Sequence, residues 1–142
     1  QILWLNKHRS NLMKYPIDYT AKVRVAYYDT DQMGIVWHGN YIKYFEDARE
    51  EMFREMGLPY DAVEKAGIMM PIVEVDLKYK HPAKYDDILS VKVHVEEPPR
   101  ARIKIDYEIV NQNGELCVTG STTLGFINSQ TRIPCRAPEA LR

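Results

Sequence analysis

A chain of 142 residues, 45% of them hydrophobic and 27% charged, has the length and composition of one folded domain with its own core, and is neither a disordered polymer nor a coiled coil. The net charge is −1, with basic residues interspersed among acids, so the electrostatic footprint of a nucleic-acid binder is missing and no such partner is expected. No apolar run reaches the roughly 20 residues of a membrane span; the two cysteines, Cys117 and Cys135, form no CxxC pair, which suits a reducing compartment and predicts a cytoplasmic location.

Residues 1–14 are set apart as a leader, and residues 15–142 are read as a single domain. Alternation from Lys22 to Tyr27 places Val23, Val25 and Tyr27 on one face and predicts a first strand, with a core tyrosine as the bland reading of Tyr27. From Tyr41 the period lengthens: Tyr41, Phe45, Ala48, Met52 and Met56 recur every three or four residues with Glu46, Asp47, Arg49 and Glu50 between them. The spacing predicts one long helix over Tyr41–Met56, with Asn40 as its N-cap and Gly57 and Pro59 as its stop. A short helical segment is expected near Tyr60–Lys65.

The period then returns to two. Val73, Val75, Leu77 and Tyr79 form one apolar face, Leu89, Val91, Val93 and Val95 a second, and Ile103, Ile105, Tyr107 and Ile109 a third. Pro98-Pro99 and Asn113-Gly114 mark turns, and a last strand is read from Glu115 to Asn128. Short connections favour antiparallel neighbours, and one apolar side per strand requires a cover that only the long helix supplies. An α+β fold follows, five strands wrapped around one helix. The mildly polar second face of the last strand leaves contact with a second copy open, so a homo-oligomer is expected.

Chemistry concentrates between the first strand and the helix, where Asp29, Asp31, Gly34 and His38 fall within one turn. Asp29 is read as a turn or capping carboxylate. Asp31 is the candidate for chemistry: Gly34 lets the backbone turn tightly, and Ile35–His38 bring backbone N–H groups toward a helix start, where unpaired donors favour a developing oxyanion. A carboxylate beside such donors could attack a polarised carbonyl or deprotonate water. His8, His81 and His94 are too scattered to complete a metal site around the two aspartates, so no metal or cofactor is expected.

The pattern Tyr27-Tyr28-Asp29-Thr30-Asp31, Gly34-Ile35-Val36-Trp37-His38, Asn40-Tyr41, Tyr44-Phe45-Glu46 and Ala48-Arg49 resembles the 4-hydroxybenzoyl-CoA thioesterase-like branch of the hotdog-fold acyl-CoA thioesterases. The resemblance implies a five-stranded antiparallel sheet around a central helix, and a homodimer or homotetramer with active sites at the subunit interface. It implies an acyl-CoA substrate, Asp31 as the catalytic aspartate, and a backbone N–H near His38 polarising the thioester carbonyl. The histidine at position 38 is similar to that of short-chain acyl-CoA members, and Tyr27 matches a tyrosine linked to catalysis there. On this reading Asp31, His38 and Tyr27 are catalytic, and Gly34, Ile35, Val36, Trp37 and Tyr41 bind substrate.

Bland alternatives stand beside each role. Trp37, Tyr41 and Tyr44 have the spacing of core aromatics, and Glu46 that of a solvated helix acid. Lys43, Arg49, Lys78, Lys80, Lys84 and Arg100 are conceivable phosphate contacts, with solvated charge as the default. A noncatalytic acyl-CoA or acyl-carrier binding module, or a hotdog enoyl hydratase or dehydratase, would use the same turn. The seven residues from Asp31 to His38 and the Gly34-Ile35-Val36 run look more like the thioesterase branch.

Overall fold

The computed structural model describes residues 14–142, so the leader assigned to residues 1–14 lies, apart from Lys14, outside the described residues. Strands β1 (Ile17–Arg24), β3 (Ile72–Tyr79), β4 (Ile88–Val95), β5 (Arg102–Val110) and β6 (Leu116–Gly125) form one sheet in the order β1-β4-β5-β6-β3, with every pairing antiparallel. Helix α1 (Asn40–Glu55) lies against its inner face, and α2 (Tyr60–Lys65) follows. Two-residue strands β2 (Ile68–Met69) and β7 (Ile127–Asn128) pair with each other. The five-stranded sheet around a long helix is the architecture the alternation predicts. Among the described residues no helix is long and apolar enough to cross a membrane.

The core is where the two periodicities meet. Tyr44, Phe45, Ala48, Met52 and Phe53 of α1 pack against Leu89, Val91, Val93, Ile103, Ile105 and Ile109 of the sheet, and each large side chain buried in this way is worth about 1.5–3 kcal/mol. Phe45 stacks on Tyr107 with ring centroids 4.1 Å apart. Gly120 makes room for that contact: a Cβ there would run into the Phe45 ring and the Asp76 carbonyl. Arg49, expected on the polar side of the helix, is buried instead. Its Nε donates to the Tyr60 hydroxyl at 2.6 Å and its Nη1 to the Tyr107 hydroxyl at 3.2 Å, which joins α1 to α2 and to the middle of the sheet.

Several boundaries depart from the expected ones. β1 begins at Ile17 and ends at Arg24, and Tyr27–Asp29 form a 3-10 turn, so Tyr27 is 76% exposed rather than a core residue. The chain leaves the sheet before the alternation ends. α1 starts at Asn40, with Gly39 at the N-cap position; the Asn40 side chain, engaged with the Asp29 carbonyl at 2.8 Å, caps nothing. The stop is as expected. Gly57 takes φ +80°, and the N–H groups of Gly57 and Leu58 donate back to the carbonyls of Arg54 and Phe53, a paired closure that consumes the orphan acceptors. The last strand breaks at Phe126, which turns into the core and leaves Ile127–Asn128 to pair with β2.

β3 departs furthest. Its apolar face reads like those of β4 and β5, yet Val73 is 48% and Val75 38% exposed. It is an edge strand paired only with β6, and α1 contacts β1 and β4 on the opposite side of the sheet.

Candidate active site

The segment from Thr30 to Val36 is a tight reversal closed by its own backbone. The N–H of Asp31 donates to the Ile35 carbonyl at 2.8 Å and that of Gly34 to the Asp31 carbonyl at 3.0 Å, while Gly34 adopts φ +78°, which favours glycine. The Asp31 Oδ1 accepts the Met33 N–H at 2.8 Å, an Asx-type turn that holds the carboxylate at the exposed surface. Val36 then bonds the Ala83 carbonyl at 2.9 Å, pinning the reversal to the connection that follows β3.

Asp29, two residues earlier, faces the opposite way. Its carboxylate is buried and accepts from Lys43 Nζ at 3.0 Å, the Tyr44 hydroxyl at 2.9 Å and the Ala26 N–H at 3.3 Å. Burial by itself pushes its pKa up; the donors from Lys43, Tyr44 and Ala26 outweigh that and hold it below its ordinary value. Its hydrogen bond to Asp29 raises the Lys43 ammonium in turn, and burial first, then Asp29, raise the Tyr44 phenol. The Asp29 carbonyl takes the Trp37 N–H at 3.0 Å and the Asn40 amide at 2.8 Å. Asp29 therefore fastens the turn to α1 from both its side chain and its backbone, the capping role expected of it.

That fastening leaves the start of α1 chemically open. Gly39 has no side chain to cap the helix, and among the described residues no hydrogen bond occupies the N–H of His38 or of Gly39. A Cβ at Gly39 would overlap the Trp37 indole, which folds back over it. The His38 carbonyl is held by the Tyr79 hydroxyl at 3.2 Å, and the His38 and Tyr79 rings meet edge to face at 6.3 Å. An open pocket of about 330 Å³ lies here, lined by Ile35, Val36, His38, Tyr41 and the Tyr79–Pro82 segment.

The structure thus gathers four of the expected residues, Ile35, Val36, His38 and Tyr41, around one pocket. Asp31 is not part of the lining; it is joined to the lining residue Ile35 by one backbone hydrogen bond, its N–H to the Ile35 carbonyl. Gly34 shapes the turn without lining the pocket, Trp37 is half exposed over Gly39, and Tyr27 stacks edge to face with Tyr85 at 5.6 Å on the outside. Two larger concavities, about 640 Å³ over the outer face of the sheet with Lys78 in its lining and about 880 Å³ beside Arg100, Arg102, Arg136 and Arg142, contain none of the residues expected to be catalytic or to bind the acyl group. Tyr41 and Tyr44 are core residues, as their spacing allowed, with the Tyr41 hydroxyl accepting the Ala83 N–H at 3.2 Å. Lys43 and Arg49 are occupied inside the molecule. Among the described residues no three His, Cys, Asp or Glu side chains converge as for a metal ion.

Tyr79, His81 and Pro82 escaped the sequence reading. Nothing local marks them, because they reach the site only when the end of β3 is laid beside the turn by the Val36–Ala83 and Ile35–Lys84 backbone contacts.

In sequence and in fold the chain is similar to known proteins. Residues 25–142 match the thioesterase-like superfamily. A putative acyl-CoA thioesterase of Bacillus subtilis is 32% identical over 119 residues, 84% of this chain and 86% of the relative. An acyl-CoA thioester hydrolase of Escherichia coli is 30% identical over 94 residues, 66% of this chain and 70% of the relative. The crystal structure of a DHNA-CoA thioesterase from Staphylococcus aureus superposes with a TM-score of 0.80 at 38% identity, covering 84% of this chain and 80% of that one. By sequence and by fold, this chain belongs to the thioesterase-like superfamily of hotdog-fold thioester hydrolases.

Proposed function

We propose that this chain hydrolyses acyl-CoA thioesters, with Asp31 as general base or nucleophile and the N–H groups at His38 and Gly39 holding the carbonyl oxygen. The observation that carries the reading is the pair of unoccupied N–H groups beside the turn that presents Asp31. In the direct route Asp31 takes a proton from water as the water oxygen adds to the thioester carbon, and in the covalent route the Asp31 carboxylate itself adds; the carbonyl oxygen takes up negative charge at the amides, and the carbonyl re-forms as the C–S bond breaks and the CoA thiolate leaves. The direct route ends in free acid. The covalent route passes through an acyl-aspartyl anhydride that water opens. Each oxyanion donor is worth about 3–4 kcal/mol of barrier, so the backbone here contributes on the scale of a side chain. His38 lines the pocket and orients the acyl end; Tyr27, on the outside of one chain, joins the site only if a second subunit closes over it.

Assembly as a homodimer or homotetramer with interfacial sites belongs to this reading. Two features support it: the pocket is open, and the apolar side of β3 next to it is uncovered. The bacterial acyl-CoA thioesterase relatives support a cytoplasmic location.

Thiol release measured across a panel of short-chain, long-chain and aromatic acyl-CoAs tests the proposal. Turnover of at least one substrate, abolished by Asp31→Asn and indifferent to chelator, is the expected result. Tight binding of intact acyl-CoA with no thiol released would replace it with a noncatalytic binding module. Activity lost to chelator and restored by added metal would refute the metal-free mechanism.

A further inference from the structure

We propose that His81, set in place by Glu115 and Asn111, is the specificity-determining residue of the pocket and selects acyl groups that carry a hydroxyl able to donate to its ring nitrogen. The proposal rests on the thioesterase reading above and supplies what that reading leaves open, the chemical character of the acyl group.

Most of the pocket wall offers an acyl group apolar surface. Ile35, Val36 and Pro82 are aliphatic, the Tyr41 hydroxyl is engaged by the Ala83 N–H, and the Tyr79 hydroxyl by the His38 carbonyl. In a wall of this kind a small number of fixed polar groups sets orientation and specificity. Three lining residues carry a titratable nitrogen: His38, Lys80 and His81. Lys80 ends in a flexible, strongly hydrated point charge that fixes no direction. The His38 ring meets only the rings of Trp37 and Tyr79. His81 alone of the three has a carboxylate beside it.

Residues far from the turn orient that ring. The N–H groups of Lys80 and His81 both donate to the Cys117 carbonyl, at 2.8 and 3.1 Å, which holds the end of β3 beside the start of β6. There the His81 Nε2 lies 3.3 Å from Glu115 Oε2. The other carboxylate oxygen accepts the Asn111 amide at 2.9 Å. Asn111 is buried, and its Oδ1 accepts the N–H groups of Asn113 at 3.0 Å and Glu115 at 2.9 Å, so the relay from Asn111 through Glu115 to His81 starts from a fixed point. The Asn111 hydrogen bond, foremost, holds the Glu115 carboxyl below its ordinary range, which leaves it an acceptor at neutral pH. A neutral imidazole with a carboxylate at Nε2 keeps its proton there and presents a lone pair at Nδ1. Among the described residues no hydrogen bond occupies Nδ1.

Selection follows from that lone pair. A hydroxyl on the acyl group donates to Nδ1 and replaces the water it displaces. The same skeleton without the hydroxyl strips the water and returns nothing. Because the His81 side chain is 39% exposed, solvent competes, and the preference is about tenfold rather than the far larger ratio of a sealed site.

Thiol release by the full chain from matched acyl-CoAs tests the assignment: hexanoyl-CoA beside its 3- and 6-hydroxy derivatives, and benzoyl-CoA beside its 3- and 4-hydroxy derivatives. At least one hydroxylated member should exceed its parent about tenfold in kcat/KM. His81→Phe should bring that ratio to about one, and His81→Asn, which returns a short side-chain acceptor, should restore part of it. Glu115→Gln should lower the ratio through the KM of the hydroxylated member, because an amide at that position no longer dictates the tautomer; it carries the test if His81→Phe fails to fold. Equal kcat/KM across every pair, or a preference that survives His81→Phe, overturns the proposal and leaves the hydrolase reading standing. If no thioester is cleaved, the hydrolase reading fails instead, and the ratio of dissociation constants for the same pairs, measured by calorimetry, decides the role of His81.

Discussion

The inner and outer sides of the 27–39 turn hold their carboxylates in opposite ways. On the inner side Asp29 is buried among Lys43, Tyr44 and the Ala26 N–H, and its carbonyl ties down Trp37 and Asn40. On the outer side Asp31 has one oxygen on the Met33 N–H and is exposed to solvent. The two acids are two residues apart, and only the packing behind them divides the work. A group whose hydrogen bonds are all consumed by the fold stabilises it; a group held by a single short-range bond keeps capacity for a reacting atom. The division also explains how an exposed turn is placed accurately: Asp29 fastens to the helix the same turn that carries Asp31.

That contrast can be broken from either side. The largest effect is expected at Asp31→Asn, which keeps the Met33 hydrogen bond and removes the base. Thiol-release turnover should fall about 10²–10⁴-fold, with unfolding free energy in urea unchanged within about 0.5 kcal/mol. Asp29→Asn should do the reverse in stability, costing about 2 kcal/mol as the Lys43 ion pair is lost and the Tyr44 hydroxyl is left with a weaker acceptor; a denaturation midpoint equal to wild type would contradict the anchoring role.

Acid titration sharpens the same distinction. Asp29 has a folded-state pKa below its ordinary 3.8, so its contribution is complete above that value and disappears as pH falls through the lower, folded one. Wild-type stability should decline over that acid interval, and the Asp29→Asn variant should decline less steeply, as followed by urea midpoints at successive pH values. The smallest effect is expected at Tyr79→Phe, which removes the hydrogen bond to the His38 carbonyl. About 0.5–1.5 kcal/mol of positioning should be lost, read as a modest fall in kcat with thermal stability retained.

Much of this architecture is legible in the order of residues. The helix announces itself through Tyr41, Phe45, Ala48 and Met52, and β4 and β5 through unbroken alternation that the structure buries at every expected position. The turn was legible through Gly34 and the two aspartates, and so was the capping task of Asp29. Tyr27 was not: its place in the alternation of β1 pointed to the core, and only the 3-10 turn that ends the strand early swings it out. Arg49 read as a surface charge, because nothing in a linear pattern reports that Tyr60 and Tyr107 will surround it. The remainder of the pocket, Tyr79 to Pro82, was invisible for the same reason.

The sequence by itself determined the five main strands, the long helix, the preference for antiparallel neighbours and the turn on which chemistry is expected, since periodicity, glycine conformation and helix stops act over a few neighbouring residues. The tertiary structure alone decided which acid is buried, which tyrosines face out, and that the apolar side of β3 is left without a cover inside one chain. Those outcomes depend on contacts between segments far apart along the chain, and a short-range pattern carries the need for a covering surface without saying where that surface comes from.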